Sequence, residues 1–180
     1  MYSFTLDHNA IIDLEEKREQ NYLYLSNFLI QNFEQLSITA VSASENPPIR
    51  NFSDFKNKIL SISELKNIKD EQILKPLGIY DFSYYDWCLL GDGPGQPMIK
   101  LKEDIISILF PNLLPIHNLD YKARNNLADV MTFWCHVYHK KKIFVTSDNN
   151  FHKKSEKLKI IAKNFHGNDI QIVRAIDLMI

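Results

Sequence analysis

Cysteine and glycine are scarce in this sequence, whose 180 residues contain two cysteines and five glycines. Cys88 and Cys135 lie far apart in apolar surroundings, so the disulfide framework of a small secreted protein is not expected. The repeated short Cys and His spacing of a zinc site is also missing. We therefore predict two reduced, buried thiols in a cytoplasmic protein.

Long apolar runs are lacking as well. No uncharged apolar stretch approaches the roughly 20 residues that a transmembrane helix needs. The opening residues, "MYSFTLDHNA", have neither the basic start nor the apolar run of a signal peptide. On these grounds we expect no association with a membrane.

What the sequence does have is enough apolar residues for a core, and an uneven distribution of charge. Hydrophobic residues make up 45% of the chain, so a folded domain is expected. The net charge is −1, yet residues 1–46 carry seven acids against two bases, and residues 138–163 carry eight lysines against two acids. This opposition is typical of an acidic metal site beside a phosphate-binding surface, although lysine runs also occur on solvated faces.

Hydrophobic spacing predicts alternating strands and helices. Short apolar or β-branched runs indicate four strands, "YSFTLD", "LSITAVSA", "IFVT" and "DIQIVRAIDLMI". Apolar residues at three- and four-residue steps indicate helices over 14–36, "NNLADVMTFWCHVYHKKK" and "KKSEKLKIIAKNF". This order predicts a single α/β domain over 1–180, with three α/β/α layers around a parallel sheet of about four to five strands. Residues 47–118 differ in composition and are predicted to form a mainly helical insertion packed beside the sheet.

Four acids are predicted to meet at one edge of this sheet. Asp7, Glu45 and Asp148 follow predicted strands, and the carboxyl ends of parallel strands share an edge. Asp129 is predicted in the first turn of the helix before "IFVTSD", which starts at the same edge. Clustered carboxylates bind hard divalent ions, so we predict a catalytic site in which these four residues hold one or two Mg²⁺ or Mn²⁺ ions. Such ions promote phosphodiester hydrolysis.

Polar and basic residues near these acids complete the predicted site. The residues expected to orient carboxylates or water are Asn9, Thr146, Ser147 and Asn150. The residues expected to contact the phosphates of a nucleic acid are His152, Lys153 and Lys154.

Two segments, "FTLDHNAIIDL" and "LADVMTFWCHVYHKKKIFVTSDNNF", resemble the opening and closing motifs of PIN domains, a nuclease family of RNA-processing enzymes and toxin ribonucleases. The resemblance covers residues 1–46 and 119–180. It implies a PIN-like fold and a metal-dependent endoribonuclease that leaves a 5′-phosphate and a 3′-hydroxyl. RNA is then the expected substrate ahead of DNA. In the toxin branch of the family, an antitoxin or another protein is the expected partner.

Two positions depart from the family pattern. His8 stands where Ser or Thr is usual, and Asn150 stands where a further Asp is frequent. These departures favour an alternative hypothesis, a catalytically inactive PIN-like module that binds nucleic acid or protein. The insertion is longer than in small toxin ribonucleases, which disfavours a toxin. A phosphotransfer receiver or phosphatase-like fold is a third alternative, but the second acid that phosphatase-like folds need two positions after Asp7 is not there.

Overall fold

Five short strands, all parallel, form the sheet of this protein. The computed structural model describes residues 3–41, 51–79, 83–84, 86–113 and 120–179. The strands are β1 (Phe4–Leu6), β2 (Leu36–Thr39), β3 (Ile73–Leu74), β4 (Ile143–Val145) and β5 (Gln171–Val173). Across the sheet they lie in the order β3-β2-β1-β4-β5.

Helices connect these strands. They are α1 (His8–Glu15), α2 (Glu19–Asn32), α3 (Phe52–Leu60), α4 (Pro97–Leu109), α5 (Tyr121–Tyr138), α6 (Asn149–Lys153) and α7 (Ser155–His166). Short 3₁₀ turns occupy Phe33–Gln35, Asp70–Gln72 and Ala175–Met179. Within the described ranges, no helix is both long enough and apolar enough to cross a membrane.

Two apolar cores lie on opposite faces of the sheet. On one face, Leu6 of β1 packs with Leu14 of α1 and Phe55 of α3. On the other face, Phe144 of β4 packs with Trp134 of α5 in a core that also includes side chains of α4 and α7. Parallel strands are covered on both faces in this way because helical crossovers lie on either side of the sheet. The predicted three-layer α/β/α class is confirmed.

The strand order reverses beside β1. The chain leaves β1 toward β2 and β3 on one side, then returns through α5 to place β4 on the other side. Phe4 accordingly pairs with Leu36 on one side and with Ile143 on the other. In open α/β sheets, ligands bind outside the carboxyl ends of the strands at such a reversal. Asp7 directly follows β1 and Thr146 directly follows β4, so both lie at this crevice.

The single helix predicted over 14–36 is wrong, since the chain forms α1 and α2 instead. The backbone adopts positive φ at Lys17 (51°), which lies between them, and at Glu19 (35°), the first residue of α2. The buried carboxylate of Asp13 accepts a hydrogen bond from the Asn21 side chain at 2.9 Å, which ties the end of α1 to the start of α2. This link holds a turn that contains neither glycine nor proline, the residues that usually reveal one in a sequence.

Two predicted strands are shorter than expected. Of the last one, only Gln171–Val173 pairs with β4, because the chain then turns into the 3₁₀ segment Ala175–Met179. The second strand ends at Thr39. Glu45, which was predicted to follow that strand, lies outside the described residues.

The segment predicted as an insertion is joined to the sheet at its edge. It contributes β3, which pairs with β2, along with α3 and α4. Trp87 stacks on Phe52 with 3.9 Å between ring centroids, and its indole N–H donates to the Ile73 carbonyl at 3.2 Å. Aromatic residues of this segment therefore hold the edge strand in place.

Candidate functional site

Asp7 is a fully buried acid at the carboxyl end of β1. Its Oδ1 accepts the His8 backbone N–H at 2.7 Å, which caps α1, and its Oδ2 accepts the Thr146 hydroxyl at 2.7 Å. Desolvation raises the pKa of Asp7 from 3.8 to about 6; the bonds from Thr146 and His8 act in the opposite direction, and the charge of Asp148 adds to the rise. An acid with this pKa is mostly ionised at neutral pH in spite of its burial.

One hydroxyl group joins Asp7 to Asp148. Thr146 is fully buried, and the oxygen that donates to Asp7 also accepts the Asp148 backbone N–H at 3.1 Å. Asp148 is half-buried and caps α6, because its Oδ1 accepts the Asn150 backbone N–H at 2.8 Å. The two carboxylates lie close enough for Asp148 to raise the pKa of Asp7. Two of the four predicted acids are thus brought together.

Asp129 is placed differently from the prediction. Helix α5 begins at Tyr121, behind the cap Asp120, so Asp129 lies in the third turn and not in the first. The Asp120 carboxylate accepts the Ala123 N–H at 2.7 Å, which sets this earlier start. Asp129 is half-buried, and its neighbour Ala128 lines a cavity beside β1.

A larger acidic cluster is not seen in the described part of the chain. There, no three His, Cys, Asp or Glu side chains form a group that could hold a metal ion. Glu45, the remaining predicted ligand, is not among those residues. Within the described residues, a metal site would therefore rest on Asp7 and Asp148 with the bridging Thr146.

This pair has the chemistry of a hard-cation site. Each carboxylate oxygen has more than one lone pair, and each hydrogen bond recorded at Asp7 and Asp148 uses one of them. Mg²⁺ is commonly held by one or two carboxylates, with water and phosphate oxygens in the other positions. Asp7 and Asp148 therefore fit the anchoring part of such a site.

The other predicted residues divide into supporting and exposed groups. The His152 ring is hydrogen-bonded through Nε2 to the Thr146 carbonyl at 2.9 Å, so it fixes the loop that carries the bridging hydroxyl. The Asn150 side chain and the Lys154 ammonium both donate to the Leu109 carbonyl, at 3.4 and 2.6 Å. These two side chains are directed to the end of α4 and not to the acids.

Three further predicted residues lie near the site with less defined roles. Lys153 is exposed on α6 and is available to a phosphate. Asn9 in the first turn of α1 and Ser147 in the loop after β4 are both half-buried next to an acid in the chain.

Arg174 is a residue that the sequence prediction missed. It directly follows β5 and is exposed, and its Nη2 donates to the Asn149 side chain at 2.7 Å. Asn149 follows Asp148, so a guanidinium lies at the same edge of the sheet as the acids. The available signal was an arginine within the last predicted strand, "DIQIVRAIDLMI", directly after the β-branched residues Ile172 and Val173.

A cavity of about 210 Å³ lies near the carboxyl ends of β1 and β2. Leu6 and His8, the two chain neighbours of Asp7, both line it. Thr39 also lines it and is 5% exposed. The other lining residues are Ile11, Ile12, Glu15, Glu16, Val41, Phe55, Lys58, Ile59, Ala128 and Thr132.

Comparison with known proteins adds no identification. A scan against protein-family models and searches of the curated proteins and of the solved structures give no match to this chain.

Proposed function

We propose that this protein is a metal-dependent phosphodiester hydrolase that cleaves RNA as an endoribonuclease. The observation that carries the proposal is the pair of acids, Asp7 and Asp148, joined by the Thr146 hydroxyl at the point where the strand order reverses. A ligand is expected at that crevice on topological grounds.

Electrostatics favour a cation as that ligand. Asp7 is buried and has a pKa of about 6, so at neutral pH its charge lies beside a second carboxylate. Close carboxylates repel each other, and a positive ligand relieves that repulsion. Oxygen donors select Mg²⁺ or Mn²⁺ over softer metals. Asp129 and Glu45 remain the further ligands that we propose for this ion.

The proposed roles of the protein groups follow from their positions. A bound Mg²⁺ or Mn²⁺ ion supplies positive charge that stabilises the attacking and leaving oxygens of a phosphodiester. Thr146 holds the two acids in register, and His152 fixes the Thr146 carbonyl. Arg174 and Lys153, exposed next to the acids, contact the phosphates of the strand.

The resemblance of the two end segments to PIN domains supports RNA as substrate. A catalytically inactive module that binds nucleic acid or protein is the second candidate. It is favoured by His8, by the orientation of the Asn150 side chain toward Leu109, and by the meeting of only two acids in the described residues. An antitoxin or another protein partner is proposed only from the resemblance to the toxin branch of the family.

The test compares two helix-capping aspartates. Asp148→Asn keeps the cap of α6 but removes one charge from the pair, and Asp120→Asn makes the same change at the exposed cap of α5. Asn is as good a cap as Asp, so neither variant should lose its helix. Thermal unfolding is measured with EDTA and with MnCl₂, and cleavage of a labelled single-stranded RNA is measured with MgCl₂.

If the proposal holds, Asp148→Asn melts at or above the wild-type temperature in EDTA because a repulsion is removed. It also loses most of the stabilisation given by Mn²⁺, which is about 2.7 kcal/mol at 100 times the dissociation constant. RNA cleavage is abolished in this variant and retained in Asp120→Asn. A full Mn²⁺ response in Asp148→Asn would rule out the metal site, and Mn²⁺ binding without cleavage by the wild type would favour the inactive module.

A further inference from the structure

We propose that Lys154 is a positioning residue of the metal site, which holds Asp148 in place by tying α6 to the end of α4. The proposal rests on the function proposed above. It also assigns a role to the segment 47–118, because α4 belongs to that segment. It is carried by the hydrogen bonds at the two ends of α6 and by the burial of α4.

Helix α4 is anchored in the core along its length. Leu101, Ile105 and Leu109 of this helix are buried. The indole N–H of Trp134 on α5 donates to the Met98 carbonyl at 3.0 Å, which fixes the start of α4. The position of the Leu109 carbonyl is therefore set by the packing of α4 itself.

The last carbonyl of α4, that of Leu109, accepts hydrogen bonds from the other side of the site. In a longer helix it would accept the Leu113 N–H, but that group donates to the Phe110 carbonyl at 2.9 Å. The Lys154 ammonium donates to the Leu109 carbonyl at 2.6 Å, and the Asn150 side chain donates to it at 3.4 Å. A lysine suits this position because the C-terminal end of a helix carries a partial negative charge.

Helix α6 has Asp148 at its other end. Asp148 precedes the helix, and its Oδ1 accepts the Asn150 N–H at 2.8 Å. A helix of five residues is too short to be stable by itself, so contacts with the rest of the protein set its position. The fully buried ring of Phe151 supplies one contact, 5.1 Å from the Phe144 ring between centroids. Lys154 supplies another, at the end opposite Asp148.

Positioning and charge predict opposite effects of Lys154 on metal binding. A positive charge near two carboxylates competes with a metal ion, so its removal alone would strengthen metal binding. If Lys154 positions Asp148, its removal leaves that carboxylate less well held, and metal binding weakens. The sign of the change in affinity therefore separates the two roles.

The test removes the ammonium of Lys154 and keeps the apolar part of its side chain. Lys154→Met has no donor at this position, and Lys154→Arg restores one. Lys157→Met is the matched control, because it removes the same charge from an exposed residue of α7. Binding of Mn²⁺ is measured by isothermal titration calorimetry, and hydrogen exchange of backbone amides is measured by NMR in EDTA.

The calorimetry should show weaker binding in one variant. Lys154→Met should raise the dissociation constant for Mn²⁺ about tenfold, the effect expected for loss of one hydrogen bond from a charged group. Lys154→Arg should regain most of the affinity, and Lys157→Met should bind Mn²⁺ as the wild type does. Equal or tighter binding of Mn²⁺ by Lys154→Met would overturn the proposal.

Hydrogen exchange reports on Asp148 without a metal ion. The Asn150 amide, which donates to Asp148, should exchange about tenfold faster in Lys154→Met than in the wild type. The Asp7 amide, which donates to the Val145 carbonyl at 2.9 Å, should accelerate less, because it reports the stability of the sheet. If the Asn150 amide accelerates no more than the Asp7 amide, Lys154 supports the fold alone and the proposal is wrong.

Failure of the metal site itself would appear separately, as a wild-type chain that binds no Mn²⁺. The exchange measurement in EDTA does not depend on that outcome, so it still decides whether Lys154 holds Asp148 in place.

Discussion

Two buried ionisable side chains, His136 and Asp7, lie on the same side of the sheet at β1, and their surroundings differ. Thr5 and Asp7 are two residues apart, so both point away from the core that contains Leu6. Thr5 is hydrogen-bonded to Nδ1 of the buried His136 at 3.1 Å, and Asp7 accepts a hydrogen bond from Thr146. A histidine of α5 therefore contacts the middle of β1, and an acid follows the carboxyl end of the same strand.

The interior position is built for a neutral group. The His136 ring lies 5.9 Å from the Phe133 ring and 5.2 Å from the Phe144 ring, between centroids. Desolvation lowers the pKa of His136 to about 3, with smaller contributions from the positive charges of His166 and Lys141. At neutral pH the imidazole is uncharged and packs as a ring. A role in shape and packing accounts for it.

The edge position keeps a charge. Asp7 is equally buried, but its pKa of about 6 leaves it ionised at pH 7, with the charge of Asp148 nearby. Burial alone does not distinguish the two side chains. What distinguishes them is the protonation state at neutral pH and the presence of a like charge, and these are properties that a ligand can use.

The largest expected effect concerns His136 and the dependence of stability on pH. The pKa of His136 is about 3 when folded and about 6.5 when unfolded, so the unfolded state binds more protons between these values. Stability is complete above pH 6.5 and falls on acidification, by up to about 5 kcal/mol near pH 3. His136→Gln removes this titration. Urea unfolding at several pH values should show a less stable variant at pH 7 whose stability decreases less toward pH 4; parallel curves would contradict the prediction.

The next effect concerns Asp7, whose contribution to stability changes with pH in the opposite direction. The pKa of Asp7 is about 6 when folded against 3.8 when unfolded, so the folded state binds more protons between these values. Stability is then lost as the pH rises through 6, by up to about 3 kcal/mol. Asp7→Asn carries no such loss.

The measurement is the difference in unfolding free energy between Asp7→Asn and the wild type in EDTA, at pH 4 and at pH 8. The difference should shift in favour of the variant by a large part of that amount between the two pH values. Asp120→Asn, which removes a carboxylate from an exposed cap away from the pair, serves as the control. If the difference for Asp7→Asn were the same at both pH values, burial would not destabilise the charged form of Asp7.

The sequence predicted which acids lie at the carboxyl edge of the sheet better than it predicted the bounds of the helices. Apolar runs that end in an acid placed Asp7 and Asp148 correctly, because the carboxyl ends of parallel strands must share one edge. The start of α5 was missed since it depends on the Asp120 cap, nine residues before Asp129. The break between α1 and α2 was missed because it is held by the Asp13 and Asn21 contact.

The cavity and the bridging hydroxyl could not be predicted by local patterns at all. Thr146 was expected to orient an acid, but its double contact depends on the side-by-side pairing of β1 and β4. The cavity walls come from segments as far apart as Leu6, Ile59 and Thr132. Such features arise from the register of the sheet and the packing of helices on it, which no single segment encodes.

The smallest effect separates binding from support within one pair of neighbouring lysines. Lys153 is exposed, while Lys154 is half-buried and donates to the Leu109 carbonyl at 2.6 Å. Lys154→Ala should lower the free energy of unfolding by about 1 kcal/mol, because it removes a charged hydrogen bond at the end of α4. Lys153→Ala should leave stability unchanged and reduce the salt dependence of single-stranded RNA binding by about 0.7 in the slope of log K against log salt. Urea unfolding and fluorescence anisotropy in EDTA measure the two quantities. If Lys153→Ala binds RNA with the wild-type slope, Lys153 belongs to a solvated face, and Arg174 is left as the basic group at the edge to be tested in the same assay.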